Sequence, residues 1–152
     1  MRACLVAAAV AASLLASGAF AAGYVAPDGR TEAQLVAAHV LPDPAHPGVV
    51  NPAVTPATQA RTICTQTPAG HKPIEGELDH RLSIEDGGAP ADPANLWWMI
   101  YADRYGARVK DVLETKLSRR VCAGTLGLGE ARQALLGNWL VAYQKYVGPL
   151  PK

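Results

Sequence analysis

GELDHRLSIEDGG, residues 76–88, sets a histidine between an aspartate and an arginine and closes on two glycines. From Glu77 to Ile84 apolar and polar side chains alternate, and a period of two predicts a strand. Leu78, His80, Leu82 and Ile84 are expected on the covered face, with Glu77, Asp79, Arg81 and Ser83 on the other. An ideal strand separates Asp79 from His80, so a local distortion is needed if both are to serve one site. Gly87–Gly88 and the prolines at 90 and 93 then predict an extended turn. NLWWMI, residues 95–100, is apolar and aromatic and reads as a second strand or a packed loop.

Outward from this core the periodicity changes. A helix is expected from about residue 106 to 122, with Val109, Val112, Leu113, Lys116, Leu117 and Val121 tracing a stripe and Gly124 placed to end it. A longer helix is expected from about 128 to 147, where Leu128, Ala131, Leu135, Trp139, Ala142 and Tyr146 recur at steps of three or four. Trp139 and Tyr143 belong to its core face. Upstream, Thr31 and Gln34 have the spacing of a capping box ahead of a short helix over about 32–40. Residues 41–58 carry five prolines and predict an extended or looped segment. Residues 59–64 suit a helix end or a short strand. His39 and His46 are expected as surface histidines, and Trp97–Trp98 as core in preference to a base-stacking platform.

Residues 1–22, MRACLVAAAVAASLLASGAFAA, carry one arginine, an Ala-rich apolar run and the small-residue site Ala19–Phe20–Ala21. That layout predicts a cleaved signal peptide over 1–21, with a retained anchor as the other reading. The protein is then exported, to the periplasm or beyond. No other segment is long and apolar enough to span a membrane. Removing Arg2 from the fourteen Lys and Arg leaves thirteen against thirteen Asp and Glu. A near-neutral chain is not the strongly basic type that binds nucleic acid non-specifically with high affinity. The charge is nevertheless uneven. Six acidic residues and Arg81 lie in 75–92, and a basic stretch follows in 101–120. Two cysteines remain in the exported chain, Cys64 and Cys122, and an even count in an oxidising compartment predicts one disulfide, two buried free thiols being the other reading. Two cysteines without a matching pair of histidines make no zinc site.

The order DH, glycine turn, Asn95 and helix resembles the HNH nuclease superfamily, and more closely small exported bacterial proteins of HNH type. The matching stretches are ELDHRLSIEDGGAPADPANLW and KDVLETKLSRRVCAGTLGLGEARQALLGNWLVAY, with GVVNPAVTPATQARTIC as a similar lead-in. They cover residues from about 48 to 147. The resemblance implies an α+β fold with a small ββα-metal unit packed with additional helices and one disulfide. Its division would be a signal peptide at 1–21, a helix plus Pro-rich leader at 22–58, and the HNH-like domain at 59–148. The implied activity is metal-dependent endonuclease hydrolysis of nucleic acid outside the cytoplasm. A histidine of ordinary pKa near ~6.5 would take a proton from water, and a divalent cation, Mg²⁺ by its preference for oxygen ligands, would stabilise the departing oxygen. Carried over by position, His80 matches the general base, Asp79 the metal-binding residue before it, and Asn95 the asparagine that braces the loop.

The third position departs from that pattern. No histidine follows His80. Alignment on KDVLE puts Arg108 where a helix ligand is usual, and counting from Asn95 lands near Arg104, beside Asp103. Arginine stays protonated and cannot ligate a cation. Arg108 and Lys110 are therefore candidate phosphate contacts, and Asp103, with Asp111 as the other choice, a candidate metal ligand. The alternative function is a catalytically degenerate HNH-like exported module that binds or supports a partner. His71–Lys72 is a weaker phosphate candidate, Ser83 lacks a second histidine for serine hydrolase chemistry, and no feature sets an oligomeric state.

Overall fold

A computed structural model describes residues 23–62, 64 and 75–152; the expected signal peptide and the His71–Lys72 pair lie outside these residues. The described elements run α1 (Glu32–Ala37), α2 (Gln59–Thr62), β1 (Gly76–His80), β2 (Leu96–Ile100), α3 (Ala107–Cys122), α4 (Leu128–Leu136) and α5 (Trp139–Tyr146). Short 3₁₀ turns at Ile84–Asp86 and Pro93–Asn95 interrupt the connection between the strands. The class is α+β, with one two-stranded antiparallel sheet packed against α3, and α3 in turn packed on α4 and α5. Among the described residues no helix is long and apolar enough to cross a membrane.

Thr31 and Gln34 form the reciprocal capping box of α1. That helix stops at Ala37, short of the expected 40, because His39 adopts a left-handed backbone with φ 56°. The reversal sends Val40 and Leu41 inward, where both are buried with Leu35, and the Trp139 indole donates a hydrogen bond to the Val40 carbonyl. The leader thus shares its core with α5. At the other end of this segment Val54 joins the same core.

The inward face of α3 differs from the expected stripe. Ala107, Lys110, Leu113, Glu114, Leu117 and Val121 are buried, whereas Val112 is 47% exposed and Lys116 lies outside. Two charged side chains, Lys110 and Glu114, join the inward face because they meet each other there and Lys110 also meets β1, while Val109 is half-buried against the core. The long helix expected over 128–147 is two helices. The chain breaks at Gly137–Asn138, and the Asn138 side chain caps α5 by accepting from Leu140 N and Val141 N. Both helices pack on the same partner, so the apolar spacing carries across the break and conceals it.

Cys64 and Cys122 form a disulfide across 58 residues of sequence, with Cα atoms 5.8 Å apart. It ties α3 to the chain just past α2 and closes a loop containing both strands. The chain-entropy model gives such a closure about 4 kcal/mol.

β1 and β2 pair in the register Gly76↔Ile100, Leu78↔Trp98, Asp79↔Trp97 and His80↔Leu96. The faces are the reverse of those expected. Asp79 is buried with Trp97 and Met99, while Leu78 is 60% exposed and Trp98, expected in the core, is 47% exposed. His80 therefore shares the outer face with Leu78. Beyond His80 the strand ends, Arg81 N donates to the Asn95 carbonyl, and the phase slips so that Leu82 and Ser83 are both buried. Alternation continued through that slip predicts the wrong side for every residue before it.

Candidate functional site

The loop after β1 is shaped by two glycines and one asparagine. Gly87 ends the first 3₁₀ turn with φ 86°, a conformation a side chain would strain. Gly88 lies so close to Leu82 that a methyl group there would run into the Leu82 carbonyl oxygen. Asn95 is fully buried and makes four hydrogen bonds. Its Oδ1 accepts from Val49 N at 3.1 Å and Leu82 N at 3.0 Å, and its Nδ2 donates to Leu82 O at 3.0 Å and Ala89 O at 2.9 Å. One side chain thus stitches residues 49, 82 and 89 together and holds the ends of the loop that flanks His80.

His80 is half-buried, and its Nε2 lies 3.1 Å from the Pro90 carbonyl oxygen. A carbonyl only accepts, so Nε2 carries the hydrogen. In the neutral ring Nδ1 then holds the lone pair, which is the arrangement of a proton acceptor. The main chain of the same residue is fixed on both sides. His80 N donates to Asp79 Oδ1 at 2.7 Å, and His80 O accepts from Lys110 Nζ at 2.6 Å.

Lys110 lies at the centre of the site. Its side chain is 0% exposed, and its ammonium donates to Asp79 Oδ2 at 2.9 Å, to His80 O, and to Glu114 Oε1 in a closer contact. Burial works against this charge, but Asp79 and Glu114 outweigh it and hold the ammonium pKa above its ordinary value. One ammonium shared by two carboxylates leaves the cluster an excess of acid. Burial, with Asp79 nearby, holds the Glu114 carboxyl above its ordinary value against the pull of Lys110. Glu114 was not singled out in the sequence. The steps of three and four through Ala107, Lys110, Glu114, Leu117 and Val121 are the signal that places it inward, once charge is set aside.

The remaining expected site residues lie elsewhere. Asp103 is not open to a cation: both its oxygens accept from Arg30 at 2.8 Å, and Oδ1 also accepts from Tyr105 N. Its pKa is lowered because Arg30 and the Tyr105 amide overcome the cost of burial. Lys110, enclosed by its three acceptors, cannot reach a phosphate. Arg108 is exposed and lies over the Tyr101 ring, 4.4 Å from its centre, while Arg81 lies over Trp97 at 4.9 Å. His39 and His46 are exposed, as expected. His39 stacks on Trp97, and His46 pairs with Asp43 at 3.1 Å. Ser83 donates to Asp86 and caps the 3₁₀ turn, so it is structural.

A divalent cation does not fit the residues as they stand. Asp79, the expected ligand, already faces a fixed ammonium and a backbone amide. Among the described residues no three His, Cys, Asp or Glu side chains cluster as a metal site.

The acidic run over 75–92 is divided by the fold, for Asp86 is fully buried. Its Oδ2 accepts from Ser83 Oγ at 2.7 Å, and its Oδ1 has no hydrogen-bond partner among the described residues. Burial pushes its pKa up to about 7, partly offset by the Ser83 hydroxyl. Between about pH 4 and 7 the native state therefore holds a proton that the unfolded chain releases. The contribution of Asp86 is full below its unfolded pKa and is lost as pH rises through about 7. Urea unfolding from pH 4 to 8 should show a decline of ~4 kcal/mol or less from this group. In Asp86→Asn that part of the slope should vanish.

Family models, curated proteins and solved structures all returned no match to this chain.

Proposed function

We propose that the β1–loop–β2–α3 unit is a phosphodiester-hydrolysing site of HNH type, acting on nucleic acid outside the cytoplasm with His80 as general base. The observation that carries this reading is the orientation of His80. Its Nε2–H is directed to the Pro90 carbonyl, which leaves Nδ1 as the acceptor, and its main chain is clamped at N and O. Positioned proton transfer contributes about 10²–10⁴-fold in rate. Exposed Arg108 supplies a guanidinium able to grip phosphate through two hydrogen bonds. The Cys64–Cys122 disulfide supports a location in an oxidising compartment, the periplasm or the exterior.

The test is nicking of plasmid and single-stranded nucleic acid by the purified exported protein with its disulfide intact. Parallel samples contain EDTA, Mg²⁺, Mn²⁺, Ni²⁺ or Zn²⁺. Cleavage is expected, with a loss of about 10²-fold or more in His80→Ala while the circular dichroism spectrum is unchanged. No cleavage in any sample of folded protein would remove this reading.

A second reading, a catalytically degenerate HNH-like module, rests on a different observation. Leu78, Trp98 and Ile100 leave an exposed apolar patch on the outer face of the sheet, beside a carboxylate already neutralised by lysine. Retention of a partner by the His80→Ala variant, without cleavage by either form, is the result it expects.

A further inference from the structure

We infer that Lys110 is a resident cation: its ammonium holds Asp79 and the main chain of His80 in place of a divalent ion, and the site is built to work without one. The inference concerns the site proposed above and rests on that reading for its catalytic meaning. Three oxygens from two elements converge on one nitrogen: Asp79 Oδ2 and His80 O from β1, and Glu114 Oε1 from α3. Oxygen donors of this kind, two carboxylates and a carbonyl, are those a hard divalent ion selects. An ammonium has three N–H donors and no acceptor, so the three oxygens use all of its capacity. The Lys110 side chain is 0% exposed, so the ammonium is shut off from water and its three partners are the oxygens named.

The consequence for His80 is positional. Asp79 Oδ1 accepts from His80 N, and Lys110 ties together Asp79 Oδ2 and His80 O. The ammonium therefore closes a ring of contacts around the backbone of the proposed base. A bound divalent ion would have to displace a lysine whose side chain is wholly buried. If Lys110 is cut back to alanine, the site keeps two carboxylates and a carbonyl and gains a space large enough for an ion with water. A 2+ ion would then face both carboxyl groups, which in the native site share one ammonium.

The experiment uses Mn²⁺ on the full exported protein, read by thermal unfolding and by paramagnetic broadening of backbone amide signals. In wild type, millimolar Mn²⁺ is expected to leave the Asp79 and His80 amides sharp. In Lys110→Ala, Mn²⁺ is expected to raise Tm in a concentration-dependent way, as ligand binding to the native state must, and to broaden the signals of residues 79, 80 and 114. Adding Glu114→Gln to that variant should weaken the Mn²⁺ effect at least tenfold. Broadening at Asp79 in wild type, or a folded Lys110→Ala that gains no Mn²⁺ response, would overturn the inference. If Lys110→Ala folds only with Mn²⁺, the inference is supported. If it folds under neither condition, wild type decides, sharp amides supporting the inference and broadened ones overturning it. Cleavage has no part in these readouts, so failure of the nuclease reading and failure of this one are separately visible.

Discussion

Lys110→Met will destabilise the folded protein by about 3–5 kcal/mol, the usual cost of removing one partner from a buried ion pair. Methionine has nearly the reach and volume of the lysine stem, so little packing is lost. What remains is electrostatic: Asp79 and Glu114 face each other without a cation, and the His80 carbonyl loses its donor. The pH dependence identifies the cause. Without the ammonium, burial and the nearby Asp79 hold Glu114 further above its unfolded pKa, so the native state binds a proton that the unfolded chain releases. Stability of the variant should be greatest near pH 4 and fall as pH rises, more steeply than in wild type. Urea denaturation at pH 5 and 8 measures this. Further replacement with Asp79→Asn and Glu114→Gln should recover part of the loss, and an unchanged deficit would show that packing is responsible. A domain of this size has about 5–15 kcal/mol in all, so the single variant is expected to be marginal at 37 °C.

Asn95→Ala should cost a similar amount, about 3–5 kcal/mol, for a different reason. Four backbone groups lose their partner: Val49 N, Leu82 N, Leu82 O and Ala89 O. Each buried group left unsatisfied costs ~1–3 kcal/mol, reduced where water or a local shift can reach it. Asn95→Asp separates the parts. An aspartate still accepts from Val49 N and Leu82 N but, ionised and buried, faces Leu82 O and Ala89 O without a donor, so its deficit should shrink as pH falls and the carboxyl takes up a proton, whereas that of alanine should not. Hydrogen exchange gives the local readout, with the amides of Val49 and Leu82 exchanging fast in Asn95→Ala. Because the same bonds hold the loop whose Pro90 carbonyl orients the His80 ring, any cleavage should fall as well, although Asn95 does not touch a reacting group. A variant with wild-type stability and exchange would show that the four bonds are replaced by others.

Several features follow from local chemistry and were legible in order. Thr31 and Gln34 cap α1 because their spacing brings hydroxyl and amide to each other's backbone groups. NLWWMI supplies a strand, α3 fills nearly its expected span, and Cys64 joins Cys122. Where reading failed, a contact distant in sequence was the cause. Asp79 turns inward because an ammonium from α3 waits there, and Leu78 must then face out. The Gly137–Asn138 break lies hidden because α4 and α5 keep a common apolar phase.

The same division separates composition from site. The amino-acid sequence by itself determined the α1 cap, the span of α3, the proline-rich leader, the cysteine pair and a DH step at the end of a strand before a glycine turn, since each depends on neighbours a few residues apart or on the count of one residue type. Tertiary structure alone decided what the charged groups do. Asp103 is claimed by Arg30 from 73 residues away, and Asp79 by Lys110 from 31. Asp86 is removed from water altogether. The role of a carboxylate depends on its burial and on the partner that meets it, and both are set only when the chain has folded.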